Sequence, residues 1–336
     1  MSVRTEMQAL TSGATSKPPR LRRREIVLED GHRVGLSICG EGVPLVLVHG
    51  IIAEGFLYAR TLRRIAGLGF QVIAVDSAGH GRTDPLGRGG YRWSAYVDLH
   101  CRVLDHLGID KAVLMGHSMG GRIVVDVAAA HPDRAIAVIP INAAIGKGFD
   151  RFTRLSRVVP GLLPLGIGLL AADIASTFFR GRREVRSLAR LAAPSLADRL
   201  RALPSLPRAF VATIADQGSD DRLQSLRDHD VPVVVIHSDR DLVIWYPFAR
   251  MAADAADATL VRVERARHSW MLEAADSLPS LVDELLEGVL GEAIEQSAPT
   301  IASMYRDDAL ALEIDQPRST PYELTPRHSW RFETVT

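Results

Sequence analysis

Apolar and polar positions change rhythm along this chain, and the changes mark its elements. The first 24 residues are polar and small, end in the basic patch Arg20, Arg22, Arg23 and Arg24, and read as a disordered leader. From Glu25 the pattern becomes regular. EIVLEDGHRVGLSICG predicts a β-hairpin turned at Asp30 and Gly31. PLVLVHG is an unbroken apolar run, as expected of a strand buried on both faces of a parallel sheet. A helical segment over about 57–68 closes at Gly69, and the strand QVIAVD and a helix over about 94–107 follow. KAVLMG predicts the next strand, residues 119–130 a helix, and AIAVIPIN a further strand. Strand and helix alternating in this way predict an α/β fold of right-handed crossovers on a largely parallel sheet.

Between about 145 and 228 the rhythm lapses. The segment is rich in Arg, Leu, Pro and Ala and shows helical periodicity without good strands. It then resumes with the strand VPVVVIHS, a helix over 244–255, the strand ATLVRVE and a closing helix over 278–290. The spacing predicts a core of residues 25–144 and 229–291 with a helical cap, 145–228, inserted over one edge of the sheet. In open α/β sheets the carboxyl ends of the strands form the edge that binds ligands. Residues 292–336 are polar and proline-punctuated and read as a tail with no assigned structure.

Composition changes this picture little. The chain is 47% apolar and 24% charged, with forty Lys and Arg against forty Asp and Glu, so nothing in the net charge points to nucleic acid or to an anionic surface. Cys39 and Cys101 lie far apart in apolar surroundings and read as small buried hydrophobes rather than a disulfide or zinc site. The N-terminus lacks an apolar run behind a basic start, so it is not read as a secretory signal. No stretch supplies the roughly 20 apolar residues of a membrane span. The nearest, residues 158–172, is broken by Pro160 and Pro164. A cytoplasmic protein acting on a small molecule is expected, with surface contact to a membrane left open and the oligomeric state unread.

The strongest chemical signal is Gly116-His117-Ser118-Met119-Gly120-Gly121, where the strand KAVLM ends and a helix begins. A serine hydroxyl is a poor nucleophile unless it is exposed, aligned and served by a base. A sharp strand-to-helix turn lifts Ser118 out of the sheet, and glycine at 116 and 120 keeps side chains off the neighbouring backbones. A nucleophilic serine calls for an acid and then a histidine, each beyond a later strand. After VPVVVIHS come Asp239, Arg240 and Asp241; after ATLVRVE comes RARHSW with His268. Asp241, deeper in its loop, is assigned to orient His268, and Asp239 to cap the turn through backbone hydrogen bonds. His268 is the candidate general base and acid. An oxyanion hole needs two backbone N–H groups. Met119 and Ile51 are assigned, the latter in the His49-Gly50-Ile51-Ile52 loop after PLVLV.

Other chemistries lack support. There is no HExxH, no CxxC and no phosphate-binding GxxxxGK[ST], and the scattered His and Asp lack metal-ligand spacing. No metal or cofactor is called for. The run 87–90 is glycine-rich but does not open a helix after a strand, and reads as a surface loop. A second RHSW at 327–330 has no strand before it, so His328 is read as coincidence.

With these residues in place, the chain resembles the α/β-hydrolase fold superfamily over residues 25–290. The resemblance rests on HG after the first buried strand, DSAGHGRTD over 76–84 (Thr83 standing where Ser is usual), GHSMGG, HSDRD and RHSW. It implies a Ser118, Asp241, His268 triad and an oxyanion hole at Ile51 and Met119. His49, Gly50, Gly116, His117 and Gly120 fall in supporting positions. Members that open halides or epoxides carry Asp as nucleophile, so the serine disfavours those activities. The loop HGIIAEG also lacks the HGGPG of proline iminopeptidases and the corresponding loop of carbon–carbon bond hydrolases. Carboxylesterases and lipases remain the leading reading, without a cofactor, and thioesterases, cofactor-free haloperoxidase-like members and a non-catalytic binding protein are the alternatives. PGLLPLGIGLLAADIASTFF in the cap suits either an apolar acyl pocket or plain helix packing. Arg180, Arg182, Arg183, Arg186 and Arg190 suit either a solvated face or a contact with lipid headgroups or a phosphate-bearing leaving group.

Overall fold

The structure, a computed structural model, describes residues 3–12, 19–51, 53–87, 91–179, 196–305 and 331–335. Nine strands form one sheet: β1 Arg22–Val27, β2 Arg33–Cys39, β3 Val43–Val48, β4 Phe70–Val75, β5 Ala112–His117, β6 Ala135–Ile141, β7 Val234–Ser238, β8 Thr259–Val263 and β9 Phe332–Val335. Their spatial order is β1-β2-β4-β3-β5-β6-β7-β8-β9. The six from β4 to β8 run parallel; β1, β2 and β9 are joined antiparallel at the two ends.

The helices are α1 Val3–Ser12, α2 Ala59–Ala66, α3 Trp93–His106, α4 Met119–Ala130, α5 Gly146–Ser156, α6 Leu162–Phe179, α7 Leu196–Ala202, α8 Leu206–Ala215, α9 Ser219–Asp228, α10 Tyr246–Ala256, α11 Trp270–Glu273, α12 Ser277–Leu286 and α13 Val289–Ser297. The apolar runs bury both sheet faces, as alternation of side chains along a strand requires. Leu45 and Leu47 face a core with α2, α12 and α13, whereas Val46 and Val48 face one with α3, α4, α9 and α10. Register aligns Val48, Gly116 and Pro140 across β3, β5 and β6, and Ile141 with Ile236 of β7. The carboxyl ends of these strands therefore open on one edge.

Several expectations need correction. Part of the leader is helical: Val3 and Met7, one turn apart, are buried, and Arg4 donates to the Leu286 carbonyl at 2.8 Å. The basic patch lies largely in β1, where Arg23 pairs with Glu54 and Asp198. The closing helix is two helices, α12 and α13, broken at Gly288. The tail contributes α13 and β9. Within the expected cap, α9 packs on α4 and α10, and α5 packs on α10, so both lie against core helices; the inserted stretch 146–215 is the run from α5 to α8. Residues 88–90, His328 and the arginines at 180, 182, 183, 186 and 190 lie outside the described residues.

Candidate active site

Ser118 sits in the turn between β5 and α4 with φ 55° and ψ −117°, a backbone conformation that a side chain rarely adopts. The turn is tight because its flanks touch backbone. A Cβ on Gly116 would stand 2.2 Å from the Gly120 carbonyl oxygen, and one on Gly120 would stand 2.1 Å from that of Val48. The Ser118 N–H donates to the Ile141 carbonyl at 2.9 Å, fastening the turn to the end of β6.

His117 ties this turn to the loop after β8. Its Nε2–H donates to the main-chain oxygen of His268 at 3.0 Å, and its Nδ1 accepts from the Tyr58 hydroxyl at 3.0 Å. Burial, with His268 nearby, pushes the His117 pKa down to about 3, so the ring is neutral and can fill both roles. The His117 and His268 rings lie 4.9 Å apart.

Asp241 Oδ2 accepts from His268 Nδ1 at 2.7 Å and from Asn142 Nδ2 at 2.7 Å. Its Oδ1 accepts the N–H groups of Val243 and Ile244 at 2.8 and 2.9 Å. Burial works against the charge, yet the facing His268 and these donors hold the carboxyl at about 2. Asp241 thus caps its own turn. Asp239, expected to do so, buries Oδ1 without a hydrogen-bonding partner. On His268, burial opposes the cation, but Asp241 and then Asp173 outweigh it and raise the pKa above its ordinary 6.5. Asp241 takes Nδ1, which leaves Nε2 as the ring nitrogen for chemistry.

The loop after β3 closes on the same turn. A Cβ on Gly50 would lie 3.3 Å from Ser118 Cβ and 3.1 Å from His117 Nδ1. His49 accepts the Ser77 N–H on Nε2 at 3.0 Å and donates from Nδ1 to the Gly50 carbonyl at 2.8 Å. His80 donates to the Ile51 carbonyl at 2.6 Å. A trans peptide sets its N–H opposite its carbonyl, so holding the Gly50 oxygen fixes the direction of the Ile51 N–H. Met119 opens α4, where backbone N–H groups have no partner within the helix.

Ile51, Ser118 and Met119 line one cavity of about 690 Å³, part of it open to solvent. Leu162, Leu163 and Leu170 of α6, Phe210 and Ile214 of α8, and Val243 and Ile244 complete a mainly apolar wall. Among the described residues no His, Cys, Asp and Glu cluster could hold a metal.

Three participants escaped the sequence reading. Asn142, at the end of β6, bonds Asp241 and Ser238 and accepts from Trp270 Nε1 at 3.0 Å. Trp270, two residues past His268, is fully buried. Asp173 of α6 is fully buried and accepts the His268 N–H at 3.2 Å and the Ser269 hydroxyl at 3.1 Å. A position just past an apolar strand could have flagged Asn142; nothing local flags Asp173.

A parallel sheet with a serine on its central strand-to-helix turn and a carboxylate–histidine pair at the same edge defines a hydrolase architecture. Residues 43–275 match the family of the α/β hydrolase fold, and the chain belongs to that family. A protein of Mycobacterium phage D29 named as a non-heme haloperoxidase is 32% identical over 271 residues, covering 79% of this chain and 94% of that protein. The esterase RhEst1 of Rhodococcus sp. ECU1013 is 26% identical with a TM-score of 0.61, over 79% of this chain and 98% of that one. A carboxylesterase structure from Nitrososphaera gargenis shares the fold at 22% identity and TM-score 0.61, over 81% of this chain and all of that one.

Proposed function

We propose that the chain hydrolyses a carboxylic ester with an apolar acyl group. His268 Nε2 takes the proton of Ser118 as Oγ attacks the ester carbonyl, and returns it to the departing alcohol. The N–H groups of Ile51 and Met119 face the oxygen that becomes negative. Water, activated by His268, then frees the acid and restores Ser118. Asp241 holds the tautomer that leaves Nε2 unprotonated. The observation that supports this most is the buried Asp241–His268 bond of 2.7 Å, linked through His117 to the Ser118 turn in an apolar cavity.

The test is hydrolysis of p-nitrophenyl esters of graded acyl length. The wild type is expected to turn them over, and Ser118→Ala to lose roughly a thousandfold or more in kcat. Equal rates in the two proteins would refute the reading. The kinship with the phage protein favours one second reading, in which hydrogen peroxide instead of water takes the acyl group and leaves as a peracid. Ser118-dependent halogenation that needs both a carboxylic acid and peroxide would select it.

A further inference from the structure

The inserted stretch presents a surface unlike that of the chain as a whole. On it Leu155, Val158, Leu165, Ile167 and Val211 are exposed large apolar residues, Val158 to 74% and Leu165 to 55%, and Trp245, in the loop after β7, is exposed as well. They occur on the segments that wall the cavity, beside its lining residues Leu162, Phe210 and Ile244. From Leu162 to Ala172, α6 carries no charged residue on any side. A helix apolar all round is normally enclosed in a core or meets lipid. Here α6 covers the cavity on one side and shows Leu165 and Ile167 on the other.

Charge points to the occupant of that face. Residues 146–215 hold twelve Lys and Arg against four Asp and Glu, whereas the whole chain is balanced. Lys147, Arg151, Arg154 and Arg157 are exposed around the apolar residues. The insertion's described carboxylates, Asp150, Asp173 and Asp198, are buried and engaged in internal bonds. The exposed charge of the described insertion is therefore positive only. Among the described residues no helix is long and apolar enough to cross a membrane.

We propose that the α5–α6 face docks on an anionic lipid surface. Arginines would meet lipid headgroups while Val158, Leu165 and Ile167 enter the acyl boundary. Given the ester-hydrolase reading, on which this consequence rests, the substrate class becomes an amphiphilic ester drawn from the lipid into the cavity.

Docking is read with the full-length Ser118→Ala protein, so a failure of the hydrolase reading leaves this test intact. The probes are phosphatidylcholine vesicles with and without phosphatidylglycerol, followed by flotation. The protein is expected to float with the anionic vesicles and not with the neutral ones. Arg151→Gln with Arg154→Gln, or added salt, is expected to weaken binding about tenfold or more. Val158→Ser with Leu165→Ser is expected to weaken it too, with an unchanged melting temperature. Flotation with both vesicles alike, or with neither, overturns the proposal. So does a Val158→Ser, Leu165→Ser protein that turns from dimer to monomer in sedimentation while floating as before, since the face then serves a second copy of the chain.

Discussion

Asp173 reaches the loop of His268 from a helix far away in sequence, and its charge is felt at that ring. In the proposed mechanism His268 must be unprotonated to accept the Ser118 proton, so activity should rise with pH through the His268 pKa. Because that pKa is raised, the rising limb of kcat/KM is expected above pH 6.5. Asp173→Asn keeps an acceptor for the His268 N–H but removes one of the charges that stabilise the cation. Its limb should move to lower pH in a pH–rate profile. A lower plateau with an unmoved midpoint would mean that Asp173 only packs. That Ser118, Asp241 and His268 lie at one edge of the sheet was legible because each follows an apolar strand, where the chain leaves the sheet. The choice of Asp241 over Asp239 also followed depth in the loop, and the structure sets Asp241 against His268. Asn142 shares the position past an apolar strand, but its bond to Asp241, like that of Asp173 to His268, spans about a hundred residues, and for Asp173 no local pattern marks the place at all.

Among the elements, α4 does more than carry the residues after Ser118. Its Arg122, fully buried, donates to the Ala144 carbonyl, Asp150 and Asp216 at 3.0, 3.1 and 2.8 Å. Ala144 and Asp150 lie where the chain enters the insertion, and Asp216 where it returns. One guanidinium thus joins both ends of the insertion to the helix that follows Ser118. Arg122→Ala would remove a buried cation from Asp150 and Asp216, which keep Ser219 and Arg222 as partners, and is expected to cost about 1.5–3 kcal/mol in urea unfolding. Cleavage of the native variant within 146–215 should also accelerate under limited proteolysis, because both anchors loosen together. The parallel strands were legible as elements because burial on both faces demands continuous apolar runs. Helix α1 was not, since only Val3 and Met7 form its stripe. Nor was β9, whose Phe-Glu-Thr-Val is too short and mixed to separate from loop.

At the scale of the molecule, a balanced sequence hides an unbalanced surface: total charge is a sum, and only position reveals that the insertion gathers arginines. The two ends of the sheet are unequal as well. At one end β1 guards itself with Arg22, Arg23, Arg24 and Glu25, charges that discourage another strand from adding there. At the other, β8 reads Thr-Leu-Val-Arg-Val and is covered by β9, with Phe332 packed edge-on to Trp270 at 5.9 Å and Glu333 paired with Arg262. A chain ending before Phe332 would keep every residue of the active site yet bare the hydrogen-bonding groups of β8. Such a shortened protein is expected to scatter light increasingly with concentration, while the full chain does not. Phe332–Val335 thus replaces the apolar margin of β8 with a shorter one that carries Glu333, a poorer template for fibre-like growth.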